Sequence, residues 1–216
     1  MSEIVLTSGQ QKAFDSLKSF LTDRESKVFI LKGYAGTGKT TLMRRFVEEL
    51  NNRNEAFSLL ASTGRAAKIL ANATGYETHT VHSEIYKFTD LNQDLETVVN
   101  SRETNKVDST GQLYLNFELT TKRHVGQTKP HYYIIDEASM VSDMIDKNAT
   151  QAIFGSGQLL SDLFHYDSEG KYIFVGDICQ LPPITQTISP ALTPKYIEDN
   201  FGVRTYESEL TDVVRQ

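Results

Sequence analysis

Cysteine is almost absent: Cys179 is the one thiol in 216 residues. That excludes a disulfide framework and any cysteine-rich zinc site. A chain of this length buries a large core without such staples. No run of about 18 apolar residues occurs, so no membrane-spanning helix is expected. The opening Met1-Ser2-Glu3-Ile4 lacks the basic and apolar regions of a signal peptide, and a cytoplasmic location is expected. A basic excess is lacking too. The net charge is −6 and the isoelectric point near 5.4. Any affinity for nucleic acid must therefore rest on local motifs, not on the overall field. No internal repeat or low-complexity tract is visible.

The content that is present, 39% hydrophobic and 23% charged, is that of an ordinary globular protein. Four short apolar runs read as buried strands: Val28–Leu31, Phe57–Ala61, Tyr132–Ile135 and Tyr172–Val175. Helical spacing of apolar residues marks 6–22, the stretch carrying Leu42, Phe46, Val47 and Leu50, and 65–73. Residues 143–164 also read as helical, interrupted at Gly155-Ser156-Gly157. Thr7 and Gln10 have capping-box spacing. Strands alternating with helices predict an α/β fold with a central, mostly parallel sheet. Residues 89–130 break the rhythm, and we expect them to form an inserted, hairpin-like subdomain between 1–88 and 131–216. Within it, Gln112–Leu119 alternates as a strand. Phe117 shares its face with Leu113, Leu115 and Leu119, which leaves Tyr114 as the ring more open to solvent.

Gly33-Tyr34-Ala35-Gly36-Thr37-Gly38-Lys39-Thr40 fits G-x-x-x-x-G-K-[ST]. Average composition gives such a match in roughly 1% of chains this long, and here it follows a buried strand and opens a helix. Glycines let the backbone wrap a polyphosphate and turn N–H groups inward. The helix start adds its positive end. Lys39 reaches the β- and γ-phosphates as a point charge, the Thr40 hydroxyl suits Mg²⁺, and Thr41 completes the turn. An acidic residue at the end of another buried strand is the expected complement. Asp136 occupies such a position as a metal ligand, with Glu137 beside it to orient or deprotonate water. Gln180, just past the fourth strand, lies where ligands collect in open α/β sheets. Two other readings of the loop remain: a P-loop NTPase of another class, or a nucleotide- and single-strand-binding module without turnover.

These segments together resemble superfamily 1B DNA helicases of the RecD and Dda type. Leu6-Thr7-Ser8-Gly9-Gln10-Gln11 is similar to that family's Q motif, Ser62–Lys68 to motif Ia and Thr78–His82 to motif Ib. Asp136–Met140 is similar to motif II, Gly176–Pro183 to motif III and Leu210–Gln216 to the start of motif IV. The resemblance implies a three-layer, RecA-like P-loop ATPase domain that binds ATP and Mg²⁺ and drives a 5′-to-3′ helicase of the recombination or repair type. It implies adenine reading by Gln10, with Gln11 the near alternative. Gln180 would sense the γ-phosphate, and Arg215 would act as an arginine finger. Single-stranded DNA would run past Thr63, Gly64, Arg65, Thr80 and His82, with Tyr114 in a strand-splitting pin. Arg65 and Lys68 also fit a solvated helix face, and His79 and His82 fit ordinary core or surface histidines. A second RecA-like domain is the expected partner. The chain alone is expected to bind nucleotide weakly and not to unwind DNA.

Overall fold

The computed structural model describes residues 5–89, 115–122, 129–145, 152–184 and 186–214. The core is a six-stranded, all-parallel sheet. Its strands are β1 (Ser26–Gly33), β2 (Phe57–Ala61), β3 (Thr78–Thr80), β6 (Tyr132–Asp136), β8 (Lys171–Gly176) and β9 (Arg204–Leu210), in the spatial order β3-β2-β6-β8-β1-β9. Alternate residues of β1 point to opposite faces, and both faces are buried. Phe29 and Leu31 pack on one side with Leu17 and Phe20 of α1 (Ser8–Thr22), Leu42, Met43 and Phe46 of α2 (Lys39–Asn52) and Leu70 of α3 (Gly64–Thr74). Val28 and Ile30 pack on the other with Val81 and Ile85 of α4 (Val81–Ile85), Leu160 and Leu163 of α5 (Leu159–Tyr166) and Ile197 of α6 (Pro194–Phe201). Covering both faces is what a run such as Val28–Leu31 requires, and it gives the three-layer α/β arrangement expected.

The helices begin where their caps dictate. Thr7 accepts from Gln10 N at 3.3 Å, and Gln10 Oε1 accepts from Thr7 N at 3.0 Å, closing the expected capping box. Thr63 caps α3 by accepting from Ala66 N at 3.2 Å. Gly75, at φ 79°, ends α3 in the left-handed region that favours glycine.

A second, three-stranded sheet sits beside the main one: β4 (Tyr86–Phe88), β5 (Leu115–Leu119) and β7 (Ala152–Phe154), in the order β4-β5-β7. It takes one strand from each side of the 89–130 segment, so its margins are wider than that segment. The helix expected over 143–164 is therefore found only as Leu159–Tyr166 among the described residues. Ala152–Phe154 is a strand instead, paired in parallel with β5. Gly155 and Gly157, at φ 46° and 81°, then turn the chain into α5. Phe88, Phe117 and Phe154 lie in register across the three strands. Phe117 stacks on Phe154 at 4.4 Å between ring centroids and meets Phe88 edge-on at 5.4 Å. Phe117 is thus packed, as its face of the strand required. Tyr114 lies outside the described residues.

Candidate active site

β1, β6 and β8 are neighbours or near-neighbours running the same way, so the segments that leave them emerge on one edge of the sheet. From β1 comes the glycine loop. Gly36 and Gly38 stand at φ 81° and 80°, a conformation that costs an L side chain about 1–2 kcal/mol. Thr37 is buried, and its hydroxyl donates to Tyr34 O at 2.8 Å. Lys39 Nζ donates to Gly33 O at 2.7 Å and Tyr34 O at 3.0 Å, so the ammonium lies within the curl of the loop. Ala35, Gly36 and Thr40 are exposed, and Thr41 is half-buried on the first turn of α2.

The loop is braced from two directions. Gln10 is buried, and its Nε2 donates to Thr37 O at 3.3 Å and Gly38 O at 3.4 Å. A Cβ on Gly38 would lie 2.1 Å from that nitrogen. Both ends of the Gln10 amide are therefore engaged, with Thr7 and with the loop. Gln11, the near alternative for base reading, is exposed and donates to Asp15 Oδ1 at 3.1 Å. The second brace comes from the chain leaving β9. Gly33 pairs in register with Leu210, and four residues on Val214 N donates to Gly36 O at 2.9 Å. Arg215 lies outside the described residues.

From β6 come the two carboxylates. Burial pushes the Asp136 carboxyl above the ordinary carboxylate range. The Glu137 N–H that it accepts opposes the rise, the Glu137 charge adds to it, and the Lys39 charge counters it. A buried carboxylate held this way suits a cation partner, which would offset the desolvation. Glu137 itself sits at φ 54°, a left-handed conformation that is uncommon outside glycine and clusters at functional sites. From β8 comes the turn that holds Gln180. Asp177 is buried and organises it by accepting from Cys179 N at 2.8 Å. Gln180 Oε1 accepts from the hydroxyl of Ser139 at 3.0 Å.

On the neighbouring strands, Ala61 pairs with both Asp136 and Thr80. Thr63, Gly64 and Arg65 thus lie beside Thr80 at the same edge. The Thr63 and Thr80 hydroxyls cap α3 and α4, and nothing stands within 4 Å of a Cβ built on Gly64. His82 is half-buried with its ring edge-on to Phe154 at 4.9 Å. Its burial lowers the imidazole pKa, which keeps the ring neutral at pH 7. His79 is exposed beside Glu77. Among the described residues no cluster of three or more His, Cys, Asp or Glu could hold a metal by itself.

The match to known proteins runs through nearly all of these segments. A family model described as an AAA domain fits residues 5–216. The chain belongs to the AAA domain family. Over 79 residues, 36% of the chain, this AAA domain is 39% identical to the ATP-dependent DNA helicase dda of Enterobacteria phage T4, of which it covers 18%. The fold is similar to a crystal structure of the Pif1 helicase from Candida albicans, with a TM-score of 0.54 and 21% identity. That match covers 99% of this chain and 41% of the Pif1 chain. The AAA domain thus spans less than half the length of either protein. No helix among its described residues is long and apolar enough to cross a membrane.

Three features of the site lay beyond the sequence motifs. The reach of Gln10 into the loop, the Val214 brace and the Ser139–Gln180 bond each join residues far apart in the chain. Gln10, Val214, Ser139 and Gln180 each lie in a segment that the sequence singled out, but the bonds that join those segments carry no sequence signal.

Proposed function

We propose that this AAA domain is an ATP-hydrolysing motor, the first RecA-like domain of a 5′-to-3′ DNA helicase. The observation that carries the reading is the convergence of three segments on one sheet edge: the Gly33–Thr41 loop, the Asp136-Glu137 pair and Gln180. Similarity to two helicases supports it. In this reading the loop amides and Lys39 bind the triphosphate, with Gly33, Ala35, Gly36, Thr37 and Gly38 supplying backbone and Thr41 the helix start. Thr40 and the buried Asp136 carboxylate would hold Mg²⁺, which neutralises developing charge on the phosphates when bound. Glu137 orients and deprotonates the attacking water, and Gln180 donates its amide hydrogens to the γ-phosphate.

Gln10 then serves by bracing the loop, and any contact with adenine comes from Gln11 or from a rearranged Gln10. Thr63, Gly64, Arg65, Thr80 and His82 line the single strand. Hydroxyls, an α3 N-terminus and an arginine suit a track that does not depend on base sequence. Tyr114 belongs to the pin in the 89–130 subdomain, and Arg215 is the arginine finger. A second RecA-like domain closes the nucleotide cleft, and repair or recombination in the cytoplasm is the setting.

ATP turnover with and without oligo-dT tests the reading. Slow turnover stimulated by the single strand, and lost in Lys39→Ala, is the expected result. Nucleotide binding at full affinity in Lys39→Ala would refute it.

A further inference from the structure

Gln180 stands on an exposed turn, yet its carboxamide is tethered. Ser139, fully buried, donates its hydroxyl to Gln180 Oε1 at 3.0 Å. Ser139 is itself held on both sides. Its carbonyl accepts from the Ser189 hydroxyl at 3.0 Å. Its backbone nitrogen packs so closely on the end of β8 that a Cβ at Gly176 would lie 3.2 Å from it. The serine comes two residues after Glu137, on the 3₁₀ turn Ala138–Met140 that begins at that left-handed residue. One bond thus links the segment carrying the carboxylates to the segment carrying the amide.

The orientation matters because a phosphate oxygen accepts hydrogen bonds only. A free glutamine amide rotates between two nearly equivalent settings, one of which presents its oxygen. A donor fixed on Oε1 leaves the Nε2 hydrogens as the group available to the cleft. We propose that Ser139 is a positioning residue for nucleotide hydrolysis, which acts through Gln180 by fixing the donor face of its carboxamide toward the γ-phosphate. This rests on the motor reading of Gln180 given above.

The experiment is a double-mutant cycle in the full chain. Ser139→Ala should lower kcat about tenfold, the weight of one positioning hydrogen bond, with the KM for ATP changed less than about twofold. In a Gln180→Ala background the same substitution should cost nothing further. Ser139→Cys keeps the side-chain size with a weaker donor, and serves the same cycle where alanine disturbs the fold. An equal loss of kcat in both backgrounds, or a rise in KM with kcat unchanged, overturns the proposal. The Gln180 side-chain amide signals in a ¹⁵N spectrum read the tether without any turnover. One dispersed pair is expected in the wild type, and collapse to the position of freely rotating glutamines in Ser139→Ala. An unchanged pair refutes the tether even if the motor reading stands. A collapsed pair in a protein that never hydrolyses ATP upholds the tether and condemns the motor reading instead.

Discussion

Substituting Gly38 by alanine should damage the phosphate loop through two separable costs. The first is backbone strain. At φ 80° an L residue pays about 1–2 kcal/mol. The second is steric. The new methyl would meet Gln10 Nε2 at 2.1 Å, so the buried amide must withdraw. It then gives up its bonds to Thr37 O and Gly38 O, leaving a buried polar group short of partners at about 1–3 kcal/mol. Together the loss is about 2–5 kcal/mol, or roughly 5–15 °C in melting temperature for a domain of this size. Thermal unfolding measures it, and titration with a fluorescent ATP analogue should show affinity falling with it. The two costs separate in a Gln10→Ala background, where the methyl has room and Gly38→Ala should cost only the strain. If Gly38→Ala is equally damaging with and without Gln10, the brace does not act as described.

Asp136→Asn should stabilise the fold while weakening Mg²⁺-dependent nucleotide binding. Burial raises the folded-state pKa of Asp136 above its ordinary 3.8. The ionised form therefore penalises folding, not at all below that ordinary value and in full above the raised one. The gain in melting temperature over wild type should accordingly grow as pH climbs through the carboxylate range, and a pH-independent difference would contradict this. Tyr86→Phe removes the hydroxyl that donates to buried Asp162 Oδ2 at 2.6 Å, leaving Ser156 N at 2.9 Å as that oxygen's remaining donor among the described residues. A loss of about 1–3 kcal/mol in denaturant unfolding is expected, and a neutral result would mean that water replaces the phenol.

What the residues disclosed in advance follows from how local each signal is. Val28–Leu31 was readable as a central strand because both of its faces are buried and no alternation is needed. The glycine loop was readable because its chemistry lies within eight consecutive residues. Arg204–Leu210 gave no such sign. As β9 it is one of the sheet's two edge strands, and in Arg-Thr-Tyr-Glu-Ser-Glu-Leu only Leu210 is buried. Thr78–Thr80 was too short and polar to stand out as a strand. Ala152–Phe154 was mistaken for helix because a three-residue apolar run shows no period, and its state is set by β5, more than thirty positions earlier. The capping spacing of Thr7 and Gln10 was legible, whereas the far end of the Gln10 amide bonds a loop 27 residues away. The Ser139–Gln180 bond needs β6 and β8 to be neighbours, and strand order is a tertiary fact.

The short bond from Val214 to Gly36 has a mechanical meaning. The peptide that turns at the tip of the phosphate cradle is stapled to the polypeptide just as it departs the rim of the sheet. Tension applied to the chain beyond residue 214 would load Gly36 through that bond as well as β9 through the backbone. A shift of Gly36 would act on the departing chain through the same bond, which couples the cradle to that chain at one point.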